Sequence, residues 1–500
     1  MSYLYGTGVQ GIQRFIFQTN KLKDIVRGSE VVEAICTTLF RELFEEDFKE
    51  ENLIIGAAGN VRYLFDDRDT CARIVRTFPR RVMTTAPGIV ISQAVVEYSG
   101  DFAADINRLE DALKAQRNQP PASLTSGALG LRRSPATGLP IVHKWVDNRG
   151  GLSDPQVDNK ETWALAQKSF YGKGQEKKID PKKLPFDVSK LTQRNDWIAV
   201  IHADGNGLGQ VVQKVGSDPT RYKSFSKLLD KATEKAANDA YAKIAVETDP
   251  VYPLRPVILG GDDMTVIIRG DLAIDYAKEF MRRFEFYTSQ GELGKIIELA
   301  TNSRHLTACA GVAFIKSSYP FYYGYKLAEE LCSVAKKEAK SHAGQGWRAD
   351  SCLMFHKVED SFVQTYDDIQ RRELRPTDGA SFKYGPYYLH KISNNYYTID
   401  DLQSCSQALD QTESDGVKTG LRRWISVLHK GENMAQQHLK RMKMVFGAAG
   451  ADLSDKLTSP VIRDTDALGK PGHMKYYPVF DVLSYHSITS ITTREERYTE

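Results

Sequence analysis

The sequence predicts an α+β protein, with two ferredoxin-like units in tandem followed by a mainly helical C-terminal domain. Three observations carry this. Residues 191–358 alternate short apolar runs with amphipathic stretches in the order β-α-β-β-α-β-α-β, a split βαβ with additions. The first 118 residues repeat that order more faintly. Residues 359–500 carry mostly helical periodicity, notably at 398–411 and 417–446.

Bulk properties bound the function without naming it. At 500 residues the chain has room for about two to four domains. With 67 basic against 64 acidic residues, the net charge of +3 does not suggest a nucleic-acid coat protein, and it leaves a local basic groove open. No run approaches the ~20 apolar residues that span a bilayer, and the N-terminus lacks a signal-peptide pattern. Cys36, Cys71, Cys309, Cys332, Cys352 and Cys405 are dispersed and form no CxxC pair. That argues against a zinc ribbon or a disulfide framework and for a reducing cytoplasm.

In the second unit a strand at Trp197–Ile201 runs into Ala203-Asp204-Gly205-Asn206-Gly207-Leu208-Gly209. A helix over 221–246 follows. The hairpin Pro256–Leu259 and Met264–Ile268 then encloses Gly260-Gly261-Asp262-Asp263. A helix over 272–288, a strand over 306–314, a helix over 320–340 and a strand over 352–355 complete the unit. In this topology the end of the first strand lies beside the turn of the central hairpin.

The first unit opens at Tyr3-Leu4-Tyr5, with a helix expected over 29–46 and a hairpin of strands 53–56 and 60–65. A helix over 70–84, a strand over 89–96 and a helix over 101–117 follow. If Gly59 matches Gly261, then Asn60 and Val61 stand where Asp262 and Asp263 stand, so the unit reads as a degenerate copy. Residues 119–190 are rich in Pro, Gly, Ser and Lys and read as a loop-rich insert. Its lysines, like the basic stretch His438–Lys443, are better read as solvated than as ligands. The last ~50 residues return to mixed Gly/Pro/Thr composition.

The chemistry concentrates in the second unit. Adjacent carboxylates repel, and a hard divalent cation is one of the few things that offsets this. Two-metal phosphoryl transfer needs carboxylates from separate strands, which Asp204, Asp262 and Asp263 would supply. Gly205, Asn206, Gly207 and Gly209, with Gly260 and Gly261, suit a backbone cradle for phosphates. Lys336 stands at the edge of the core face formed by Ala328, Leu331, Cys332 and Ala335, where it can reach a triphosphate. The plain alternatives are an exposed hairpin turn, a helix N-cap at Asp204 and a solvated Lys336. His202, two residues before Asp204 on the same strand face, either orders the site or packs as an ordinary strand histidine.

In order, Asp204 after a strand, the Gly260–Asp263 hairpin, Ala310-Gly311-Val312-Ala313 and the Ala328–Lys336 helix resemble a nucleotidyl-cyclase palm of the kind in GGDEF cyclases. A closer resemblance is to the large polymerase–cyclase subunit of type III CRISPR effector complexes, which has two palms and GGDD in the second. Gly8-Val9-Gln10-Gly11-Ile12-Gln13-Arg14-Phe15, Lys21–Asp24 and Arg27–Glu30 resemble its first palm. Residues 385–387 through 421–424 match it more loosely. The resemblance implies a degenerate palm at 1–118, the insert at 119–190, a catalytic palm at 191–358 and a helical domain at 359–500. It implies Mg²⁺ or Mn²⁺ as cofactor, ATP or another NTP as substrate, and cyclic oligoadenylates as product. An RNA or protein activator, and a second copy or defence-complex subunits, would be partners, with no membrane involved. Nucleotides bind at the palm junction in that family, so the Arg27-Gly28-Ser29 loop would bring Ser29 to the site, with a capping turn as the other reading. The sequence has no His-Asp nuclease motif and no inter-palm cysteine cluster, so it reads as a standalone or minimal relative. A silent scaffold binding nucleotide or RNA, and a template-dependent polymerase, stay open as alternatives.

Overall fold

The computed structural model describes residues 1–44, 47–119, 145–146, 152–153, 180–192, 197–216, 218–246, 249–342, 349–360, 362, 364–411, 415–463 and 474–496. Most of the insert, including its lysines at 173–178, lies outside the described residues.

Two sheets share one topology. The first holds β1 (Tyr3–Gln10), β2 (Leu53–Ala57), β3 (Asn60–Phe65) and β4 (Val90–Glu97) in the order β2-β3-β1-β4. The second holds β5 (Trp197–Asn206), β6 (Leu254–Gly260), β7 (Asp263–Arg269) and β8 (Thr307–Lys316) in the order β8-β5-β7-β6. Read by position in each unit, both are 4-1-3-2, the ferredoxin-like arrangement. The second sheet is extended beyond β8 by a parallel strand, β9 (Cys352–Lys357), and a short antiparallel one, β10 (Tyr387–Tyr388).

Alternation along the strands decides what faces what. In β7, Met264 meets Tyr276 of the Ala273–Thr288 helix through an Oη to Sδ contact of 3.3 Å. Its neighbour Thr265 points to the opposite face and bonds His202. The ring of His202 lies edge-on to Tyr325 of the Phe321–His342 helix, with centroids 5.7 Å apart. That second helix sits unusually close to the sheet. A Cβ built on Gly311 of β8 would lie 1.9 Å from the Ala328 carbonyl oxygen. Only glycine permits this approach.

The palms meet along β6. The Leu22–Cys36 helix covers that strand, and the Ser29 hydroxyl donates to the Val257 carbonyl. Phe17 of the first palm stacks on Tyr325 of the second at 4.4 Å. One continuous apolar core runs from the helices of the first sheet through the second sheet into the C-terminal helices.

Several boundaries differ from the sequence reading. The helix expected at 29–46 starts at Leu22 and breaks at Thr37. Arg27-Gly28-Ser29 is therefore neither a loop nor a capping turn. Gly28 gives no break because its bare face lies against Ile16, where a Cβ would come within 3.2 Å of Cα. β5 runs five residues past Ile201, because β8 offers it a partner along its full length. The stretch 417–446 is two helices, Asp415–Leu428 and Glu432–Val445, parted at Gly431 with φ of 133°. The Gly291–Thr301 helix escaped the periodicity reading, and a helix, Val479–Glu496, ends the described residues within the stretch of mixed Gly/Pro/Thr composition.

Replacing Gly311 by Ala should force the Phe321–His342 helix off the sheet. The expected cost is about 3 kcal/mol or more, read as a lower urea midpoint with an unchanged slope.

Candidate active site

The Asp204–Asp263 neighbourhood follows from register. His202 pairs with Thr265 and Ala203 with Met264, so the next residue of β5, Asp204, comes beside Asp263. Asp204 shares the face of His202, and Asp263 that of Thr265, the face covered by the Phe321–His342 helix. Asp204 lies within the strand and caps no helix. The Leu208–Val215 helix is capped instead by Gly207, left-handed with φ of 81° and without a side-chain cap.

The hairpin turn is Gly261-Asp262, closed by the Gly260–Asp263 pair. Positive φ is confined to Gly261, at 62°, as in a type II′ turn. The sister turn Ala58-Gly59 has positive φ at both positions, 51° and 75°, the type I′ pattern. Its closing pair is Ala57–Asn60, with Asn60 opposite Gly8. The structural equivalents of Asp204, Asp262 and Asp263 are thus Gly8, Gly59 and Asn60. The sequence offset was one residue out, since Val61 is a core residue of β3.

Oxygens of Asp204, Asp262 and Asp263 all lie within 4.8 Å of one another, and all three residues keep some access to solvent. Gly205 makes this possible. A Cβ there would sit 2.8 Å from the Cβ of Asp262, whose side chain leans across it. Burial first, and then the charges on Asp263 and Asp204, hold the Asp262 carboxyl well above the usual range. Burial and the Asp204 charge push Asp263 up to about 7. Lys336 salt-bridges Asp204, and its Nζ also donates to the Gly205 carbonyl at 2.9 Å. Burial alone would lower the Lys336 pKa, but Asp204 outweighs it and the net shift is upward. Burial depresses His202 to about 4, so it is neutral, with Nδ1 3.0 Å from Thr265 Oγ1.

A cluster of hard oxygen donors with more negative charge than Lys336 can neutralise fits a magnesium or manganese ion. Around it, Gly260 closes the hairpin and Gly261 opens its turn, while Gly207 and Gly209 start the helix beyond β5; a Cβ on Gly209 would meet nothing within 4 Å. Asn206 is not brought to the mouth. It is 5% exposed, with Nδ2 3.1 Å from Thr307 Oγ1 and 3.3 Å from Cys309 Sγ. Ser29 lines a cavity of about 400 Å³ between the palms, together with Gln13, Glu33, Ile258, Gly260 and Asp263. The sequence reading missed Tyr325, whose signal is an aromatic on the same helical face as the core residues before Lys336. It also missed two polar residues, Asp230 and Thr233, that interrupt the apolar face of the Pro219–Ile244 helix.

Three outcomes follow. Protons compete with metal for Asp262 and Asp263, so a Mg²⁺-induced rise in melting temperature should grow as pH increases through about 7. The folded state also holds these protons more tightly than the unfolded chain does. Without metal, stability should therefore fall between about pH 4 and 7, and Asp263→Asn should raise the melting temperature at pH 8 while abolishing the Mg²⁺ response. Gly205→Ala should displace Asp262 and weaken Mg²⁺ binding by about tenfold or more, measured by calorimetry, with the fold retained by circular dichroism.

Residues 197–343 match the family model described as Cas10/Cmr2, second palm domain. No curated protein matches the sequence. Among solved structures, an apo Csm1-Csm4 cassette aligns with a TM-score of 0.60 at 14% identity, over 98% of this chain and 70% of that one. A Csm1-Csm4 cassette in complex with pppApApA aligns at 0.58 and 15%, and one in complex with cA4 at 0.55 and 16%, each over 98% of this chain and 69% of that one. The chain thus resembles the Cas10 polymerase–cyclase subunit of type III CRISPR complexes, in sequence over its second palm and in fold over nearly its whole length.

Proposed function

We propose that the protein is a Mg²⁺- or Mn²⁺-dependent nucleotidyltransferase that joins ATP into a cyclic oligonucleotide signal in antiviral defence. The observation that carries this is the meeting of Asp204, Asp262 and Asp263 within 4.8 Å, from two strands, beside Lys336. These carboxylates would hold the metal, which when bound supplies charge to the phosphates and acidifies a 3′-hydroxyl. Lys336, released from Asp204 as the carboxylates take up metal, would turn to the triphosphate. The helix start at Gly207 and the turn glycines would let phosphate oxygens approach backbone N–H groups.

The first palm has Gly8, Gly59 and Asn60 at the equivalent positions, so one metal centre would serve two nucleotides. The inter-palm cavity opens onto Asp263 and gives the second nucleotide a place. ATP as substrate is supported by the matched cassettes, whose descriptions include AMPPNP, one ATP, cA3 and cA4. Those same descriptions name a Csm4 partner, in one case within a type III-A CRISPR-Csm interference complex. A Csm4-like subunit and a crRNA-guided complex in the cytoplasm are the corresponding expectations here. No helix among the described residues is long and apolar enough to cross a membrane.

One observation favours a silent nucleotide-binding scaffold instead: Lys336 already neutralises Asp204 without a metal. Labelled ATP with Mg²⁺ separates the readings. Cyclic products by mass spectrometry, reduced at least a hundredfold in Asp262→Ala and Asp263→Ala, are expected. ATP binding without product under any activator would support the scaffold, and template-dependent long products would support a polymerase.

A further inference from the structure

Gly261 is gripped at both of its backbone polar groups by one helix. Its N–H donates to Asp230 Oδ1 at 3.1 Å, and its carbonyl accepts from the Thr233 hydroxyl at 2.6 Å. Asp230 and Thr233 are three residues apart on the Pro219–Ile244 helix and so lie on one face. That face is otherwise apolar, with Phe225, Leu229, Ala232, Ala236 and Ala237 buried. Thr233 is fully buried, and its hydroxyl is also 3.1 Å from Leu229 O of its own helix.

Packing does not explain these residue types. Apolar side chains would fill the face as well, and Asp230 adds a fourth carboxylate near three that already repel. The sister turn shows what the fold needs when no acids are present. There Ala58, which stands in the place of Gly261, is exposed. Its carbonyl accepts from the Asn60 side-chain amide of its own turn at 3.1 Å.

We infer that Asp230 and Thr233 are positioning residues that clamp the Gly261 peptide and so fix the angle at which Asp262 and Asp263 meet Asp204. The inference rests on reading the three carboxylates as a metal site, and is independent of which product the enzyme makes. A turn free to rock would carry Asp262 away from Asp204 and twist Asp263, since Asp262 lies in the turn next to Gly261 whereas Asp263 opens β7 and is held from one side by the strand.

The test is Mn²⁺ binding, followed by electron paramagnetic resonance, in the full chain and in Thr233→Val, Asp230→Ala and Asp230→Asn. Thr233→Val keeps the shape and loses the donor, and Asp230→Asn keeps an acceptor oxygen for the Gly261 N–H. Thr233→Val and Asp230→Ala are expected to bind Mn²⁺ about tenfold or more weakly, with melting temperatures in EDTA within a few degrees of the parent. Asp230→Asn should bind within about threefold of the parent, a rescue that a general loss of stability would not produce. Parental affinity in Thr233→Val and Asp230→Ala overturns the clamp while leaving the metal site standing. Failure of the parent protein to bind Mn²⁺ overturns both. If the two disruptive variants unfold, the result rests on Asp230→Asn and on Thr233→Ser, which restores the donor. Loss of binding in either of these folded variants overturns the inference.

Discussion

The structure is organised around a repulsion. Three carboxylates are held within 4.8 Å of one another at the end of a sheet, where burial and neighbouring charge hold the carboxyls of Asp262 and Asp263 above their usual range. Nothing in strand pairing or core packing asks for this. What holds it is a set of local arrangements around the turn: Gly205 clears space for Asp262, the Gly261 peptide is gripped by a neighbouring helix, and Lys336 supplies a single opposing charge. Without an ion the site therefore retains protons that a divalent cation would displace.

Much of this was legible in the sequence, and the part that was follows strand periodicity. Apolar runs bounded by glycines mark β5 to β9, and the βαβ order implies the sheet order, which puts Asp204 next to the hairpin. The helix position of Lys336 was legible from the core face at Ala328, Leu331, Cys332 and Ala335. What escaped was set by tertiary contact. Gly28 looked like a break because glycine is a poor helix former, yet it is where two helices touch. The equivalence of the two turns was misread by one residue because Gly59 and Gly261 occupy different positions of different turn types, which letters alone do not distinguish. Asn206 reads as a phosphate ligand in the string, but two positions beyond Asp204 it is still paired within the sheet and is absorbed between Thr307 and Cys309.

The junction between the palms is where fold and chemistry share material. Ser29 binds the strand that leads into the acidic turn, and Phe17 stacks on Tyr325, whose ring edges toward His202. A displacement of the first palm would thus be felt along β6 and at the face carrying Asp204. Such contacts connect the two palms mechanically as well as in their shared strand order.

The first palm also serves as a control that nature has already run. Its sheet keeps the same strand order and its hairpin closes at the corresponding pair, yet Gly8, Gly59 and Asn60 carry no negative charge. The architecture is therefore indifferent to the acids, and in the second palm they are a liability to folding. The two copies, side by side in a single polypeptide, separate what the fold requires from what the acids add.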